Sequence, residues 1–158
     1  MMLGTILTVV MAAGGSADAL AQFQVKNVGV QVPAAWSRST EDGTMKFTAP
    51  SGDAYFLVDV GSVQTAGMKA KVCVDKIVTG IGGANWERLT VGGQPAAKRL
   101  DSDNSTNGGV VDTVTYVGCD GRTTWSVVFH MEQRKKDRFA ALADKVGTSV
   151  KIQRGMGK

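Results

Sequence analysis

An α+β fold, an antiparallel β-sheet covered by two amphipathic helices, is what the sequence predicts. Three features lead there. Apolar and polar residues alternate over much of the chain after Phe23, tight-turn signals separate the alternating runs, and two stretches switch to helical spacing. Strands joined by short turns pair antiparallel, and a helix with one apolar face needs a sheet to bury it. At 158 residues, 43% hydrophobic and 20% charged, the chain lies in the ordinary globular range and can build one core. From Phe23 onward it shows no linker and no repeat, so residues 22–158 are expected to form a single domain.

The elements follow in order. Val28, Val30 and Val32 alternate up to Pro33 and predict a first strand. Met45 and Phe47, the turn residues Pro50 to Asp53, then Phe56, Val58 and Val60 predict a hairpin. Ala70, Cys73, Val74, Ile77, Val78 and Ile81 fall on one face of a helix that Gly82 and Gly83 stop. A four-strand meander comes next: Trp86 to Val91, a Gly92-Gly93 turn, Ala96 to Leu100, a polar tip from Asp101 to Gly109, Val110 to Val117, an Asp120-Gly121 turn, and Thr123 to Met131. In the last strand Trp125, Val127, Phe129 and Met131 share one face, and Thr124, Ser126, Val128 and His130 the other. Phe139, Leu142, Ala143 and Val146 predict a final amphipathic helix ended by Gly147.

This layout resembles the PsbP-like fold family, which includes exported proteins of the PsbP, DcrB and LpqN kinds. The residues that carry the resemblance are VPAAW (Val32 to Trp36), VGGQPAAK (Val91 to Lys98), the aromatic-rich last strand, and FAALADKVGTSVKI (Phe139 to Ile152). They are turn and packing signals spread over nearly all of residues 22–158. The resemblance implies the fold and a role as adaptor, assembly subunit or envelope protein, and it carries over no functional residue. The cysteine pair is not part of the family pattern.

Met1 to Ala21 is expected to be a signal peptide, residues 1–21. An apolar run is followed by small residues and ends in the small-x-small pattern Ala19-Leu20-Ala21, although no Lys or Arg precedes Lys26. The run is too short and too interrupted to anchor the mature chain in a bilayer. A periplasmic or secreted location is therefore expected. In such a compartment the even pair Cys73 and Cys119 reads as a structural disulfide, the alternative being two buried free thiols.

Little in the chain points to catalysis. His130, the only histidine, shares its strand face with Ser126 and Thr124, and no carboxylate is spaced to orient it, so it reads as a surface residue. One His and two pairing cysteines leave no ligand set for a transition metal, and no cofactor is expected. The tip places Asp101, Asp103, Ser105 and Asp112 at calcium-loop positions. Thr106 stands where that loop needs glycine, and Asp112 where it needs glutamate, so a solvated turn is expected. Gly80 to Gly83 follows a helix instead of opening one, which removes phosphate cradling.

The net charge of +4 is mild and predicts no nucleic-acid partner. The basic run Arg134, Lys135, Lys136 and Arg138 stands out, because it falls at the already positive start of the last helix. An anionic envelope component or an acidic protein partner would offset that repulsion. The expectation is an exported, non-catalytic binding or assembly protein of the cell envelope that uses the sheet and this basic start. The alternative is a carrier of a small ligand or lipid, with an apolar cavity between sheet and helices. Titrating the denatured, unreduced protein for thiols is expected to find essentially none. Two reactive thiols would refute the pairing.

Overall fold

The computed structural model describes residues 19–63, 67–106 and 108–153. Most of the expected signal peptide, residues 1–18, lies outside them. Ten strands and two helices follow one another: β1 (Leu20–Val25), β2 (Val28–Pro33), β3 (Ser37–Glu41), β4 (Thr44–Thr48), β5 (Ala54–Ser62), α1 (Ala70–Ile81), β6 (Glu87–Val91), β7 (Gln94–Asn104), β8 (Val110–Cys119), β9 (Thr123–Glu132), α2 (Lys136–Thr148) and β10 (Lys151–Ile152). The class is α+β and every strand pair is antiparallel, as expected.

The strands form two sheets instead of one. A seven-stranded sheet runs β3-β4-β5-β9-β8-β7-β6, and a three-stranded sheet runs β1-β2-β10. The expected first strand thus belongs to the small sheet, and β10 closes it by pairing Lys151 with Gly29. Three strands escaped the sequence reading: the two-residue β10, too short to show a period, and β1 and β3 for other reasons. β3 is Ser-Arg-Ser-Thr-Glu, exposed throughout, and has no apolar period; it is held by pairing with β4 across a turn in which Asp42 and Gly43 both have positive φ. β1 begins at Leu20, so the boundary expected after Ala21 falls inside a paired strand, Leu20 opposite Pro33 and Ala21 opposite Val32.

The helices lie on opposite faces of the large sheet, which the pleat of β7 and β8 makes plain. Ala96, Val114 and Tyr116 join the main core with α2 and the small sheet, whereas Ala97, Val117 and Cys119 join a second, smaller core with Cys73 and Val74 of α1. The main core is built on an aromatic ladder. Phe47, Phe56 and Phe129 face one another across β4, β5 and β9, with ring centroids 4.7 and 5.3 Å apart and planes within 12°. Trp36 lies against Phe56, Phe129 and Phe139 at 5.6, 5.7 and 6.0 Å, joining the ladder to α2. Each such pair adds about 0.5–1.5 kcal/mol beyond its buried area.

The second core is stapled. Cys73 of α1 and Cys119 of β8 form a disulfide that closes a 46-residue separation. In the loop-entropy account, a closure of that length restricts the unfolded chain by about 4 kcal/mol. The far end of α1 is held differently: the Gly82 carbonyl accepts from Trp86 Nε1 at 3.1 Å and Arg99 Nη1 at 2.6 Å, and the Arg99 guanidinium lies over the Trp86 ring. Ile81, expected on the buried face, is exposed in the last turn, beyond this small core.

Gly147 does not end the last helix. It is buried inside α2, which continues to Thr148, and a Cβ there would lie 2.4 Å from the buried Tyr116 ring. Its role is close approach of helix to sheet. Gly147→Ala is expected to destabilise by about 1–3 kcal/mol through overpacking, despite alanine's better helix propensity. Gly80→Ala in α1 meets nothing within 4 Å and is expected to stabilise by about 0.5–1 kcal/mol. Urea unfolding of the two variants reads both signs.

Candidate functional site

α1 covers only the β7–β8 side of its face, and no other helix or strand among the described residues lies over the rest of that face. Strand alternation decides what stands there. The residues that build the ladder point into the main core, so their neighbours Tyr55, Leu57, Val128 and His130 point outward, half-buried, with Thr113 and Thr115 of β8 beside them. Tyr55 and His130, directly opposite each other, stack at 4.6 Å, and the Lys46 ammonium lies 4.6 Å from the Tyr55 ring on its other flank. His130 Nδ1 and Thr113 Oγ1 are 3.1 Å apart. His130, expected as a surface residue, stands half-buried on this outward face and stacks on Tyr55.

At the end of this face the chain encloses an open recess of about 690 Å³. Its walls are Tyr55 and His130 from the sheet, Gly108 to Val111 from the polar hairpin tip, Asp53 from the β4–β5 turn, and Glu132 to Arg134 beyond β9. The recess therefore brings the open sheet face and the beginning of the basic run together. Burial first, and the Lys46 charge second, hold the His130 imidazole below its ordinary value of 6.5.

The basic run is divided between two elements. Arg134 and Lys135 belong to a 3-10 turn, Gln133–Lys135, and Lys136 opens α2. Three of the four cations face carboxylates from other elements or the preceding strand. Arg134 Nε is 2.7 Å from Glu132, Lys135 Nζ is 3.7 Å from Asp53, and Lys136 Nζ is 4.0 Å from Asp112. The Ser51 hydroxyl, then the Asp53 backbone N–H and the Lys135 and Arg138 charges, outweigh burial and hold the Asp53 carboxyl below its ordinary range. Arg138 has no carboxylate partner among the described residues and lies over the Phe139 ring. The repulsion expected at the helix start is thus largely met within the chain.

A second concavity lies on the opposite face, between α2 and the β7–β8 hairpin. It measures about 310 Å³, and Leu100, Val114, Met131, Ala140 and Ala141 form its apolar walls. Asp112 stands at one end with 1% exposure. At the other, Asp144 accepts from Tyr116 and from Lys98 Nζ at 2.8 Å. Burial alone would raise the Asp144 carboxyl, but those two donors hold it low; burial, and then Asp144 itself, push the Tyr116 hydroxyl well up.

The calcium-like spacing of the tip does not assemble a site. Asp112 pairs with Ser102, whereas Asp101 and Asp103 alternate onto the other face of the hairpin, and Asp101 is engaged by Arg99 at 2.8 Å. No group of three or more metal-binding side chains occurs among the described residues. No helix among them is long and apolar enough to cross a membrane. Sequence reasoning assigned no functional role to Tyr55 or Asp53, and it read Asp112 only as the end of the calcium-like tip. For Asp112 the signal was present, since it shares strand period with Val114 and Tyr116 and so had to face inward.

An antiparallel α+β sandwich of two sheets and two helices with this topology is the PsbP-like fold. Solved structures similar to it include the following three, each at 12% identity. A protein from Bacteroides thetaiotaomicron VPI-5482 superposes with a TM-score of 0.69 over 90% of this chain, which spans 50% of that one's length. LpqN, involved in cell envelope biogenesis of Mycobacterium tuberculosis, gives a TM-score of 0.61 over 86% of this chain and 91% of its own. Cyanobacterial PsbP from Synechocystis sp. PCC 6803 gives 0.61 over 85% and 93%. No family model matches the chain, and no curated protein matches it in sequence. At this identity the likeness is one of fold.

The His130 environment has a pH signature. Its folded pKa is lowered, so as pH falls through 6.5 the unfolded chain takes up the proton first and stability declines toward pH 5. Above about pH 7 both states are neutral and nothing is lost. Asp53 and Asp144, held low in the fold, add their own loss only as pH falls through about 3.8. Urea unfolding at intervals from pH 7.5 to about 5 is expected to show the decline, and His130→Gln is expected to flatten it.

Proposed function

We propose that the chain is an exported, non-catalytic binding protein of the cell envelope, and that its partner seats on the open sheet face at the recess beside Arg134. The observation that carries this reading is the recess itself, which joins the Tyr55–His130 stack to the start of the basic run. Arg138, exposed and without a carboxylate partner among the described residues, is the cation most available to an acidic group. The remaining three already have carboxylates of their own, so they contribute shape and local field more than free charge. A non-catalytic role is supported by the company His130 keeps: an aromatic ring, a threonine and a lysine, with no carboxylate among the described residues hydrogen-bonded to it.

Export is supported by the disulfide, which suits an oxidising compartment, and by the apolar, small-residue character of the leader. The start of β1 favours a cut before Leu20. Ala17-Asp18-Ala19 is also a small-x-small pattern, and cleavage after Ala19 leaves β1 whole. The likeness of fold to LpqN, a protein of cell envelope biogenesis, supports the envelope setting.

A photo-activated cross-linker placed at Tyr55 in the native cell tests the docking surface. A discrete adduct is expected from Tyr55 and from Val128, none from Thr79 on the far side of α1, and Arg138→Glu is expected to weaken it in a salt-sensitive way. Equal labelling from all three positions, or retention unchanged by Arg138→Glu, overturns the reading. Simultaneous replacement of Arg134, Lys135 and Lys136 by Ala is a poorer probe, because it also strips the cations facing Glu132, Asp53 and the buried Asp112.

A further inference from the structure

The groove under α2 holds an unmet chemical demand. Asp112 Oδ1 accepts from the Ser102 hydroxyl at 2.5 Å and, more loosely, from Gln133 Nε2 at 3.5 Å. Oδ2 accepts nothing, and it is the buried side-chain polar atom left without a partner among the described residues. Lys136 Nζ stands 4.0 Å from it, too far for a hydrogen bond, and its side chain is half in solvent. A buried acceptor of this kind costs about 1–3 kcal/mol until a donor reaches it. The β7–β8 hairpin supplies an apolar floor beside it, where Leu100 remains 46% exposed. Ala140 and Ala141 of α2 are too small to cover that floor.

We propose that this groove binds a small apolar molecule bearing a hydroxyl, whose O–H donates to Asp112 Oδ2 while its carbon body lies on Leu100, Val114 and Met131. The far end demands nothing, because Lys98, Asp144 and Tyr116 already satisfy one another. Recognition is therefore one-ended. The volume, about 310 Å³, sits at the lower limit of ligand sites, which suits a short chain and excludes a full-length lipid. The nearby Lys136 decides the charge of the head. An ammonium on Oδ2 would crowd that cation, and a carboxylate would meet the oxygen's own lone pairs, so a neutral donor fits best. This inference rests on the groove alone and is independent of partner docking at the open face.

Hexanol is the probe, added to the full chain while backbone amide NMR shifts are followed. Saturable shifts are expected at Leu100, residues 112–114 and Ala140–Ala141, with none at Tyr55 or His130. Pentyl methyl ether, of the same heavy-atom count but without a donor, is expected to bind about tenfold or more weakly, the effect of losing a hydrogen bond to a charged group. Hexylamine and hexanoate are expected to bind more weakly than hexanol, and Ala140→Phe, which fills the groove from an exposed helix position, to abolish the shifts. Absence of saturation, equal affinity for the ether, tighter binding of the amine or the acid, or shifts surviving Ala140→Phe each overturns the proposal. None of these outcomes bears on cross-linking at Tyr55.

Discussion

The aromatic ladder of Phe47, Phe56 and Phe129 is the constraint on which the rest of the structure depends. Three rings from three neighbouring strands stack in register, and Trp36 and Phe139 close over them from the chain entry and from α2. Side chains on a strand alternate, so a slip of one residue in β5 would carry Phe56 to solvent and Tyr55 into the core. Holding the ladder therefore also holds the opposite face. The Tyr55–His130 stack is the outward image of Phe56 on Phe129, one residue along each strand.

Two cores of unequal size follow from that central sheet. The larger is sealed by α2 and the small sheet and needs no covalent help. The smaller, under α1, gathers only Cys73, Val74, Ala97, Val117 and Cys119 as buried residues, and a cross-link supplements it. Because α1 spans the β7–β8 side and no more, it leaves the Tyr55 end of the sheet uncovered. The economy of one short helix is what creates an accessible face, and the recess lies at the end that the helix does not reach.

Charge behaves differently in the fold from its appearance in the chain. A dense basic run at a helix start suggests an unmet positive patch, yet Glu132, Asp53 and Asp112 approach three of its four members. Glu132 stands two residues before the run at the end of β9, but Asp53 and Asp112 come from the β4–β5 turn and β8, far from it in sequence. Asp112 shows the converse. In the chain it looks like the last ligand of a weak calcium loop; in the fold the period of β8 turns it inward, to a place where one of its oxygens has no hydrogen-bond donor among the described residues.

The alternation of Val, Phe and Trp positions, the turn pairs and the two helical stretches were enough to determine the α+β class and the antiparallel meander, because these rest on local period. The likeness to the PsbP-like fold was legible for the same reason, through Trp36 and the Gly92-Gly93 turn. The disulfide was expected from the compartment, with two free thiols as the alternative, and the structure decided for the bond. Division into two sheets, placement of the helices on opposite faces, the recess at Tyr55 and the groove at Asp112 were decided only by the tertiary structure. Each depends on which distant surfaces meet. Period tells a side chain to turn inward, but the neighbour it finds there, the Tyr116 ring against Gly147 or the empty side of Asp112 Oδ2, comes from elements far away in sequence.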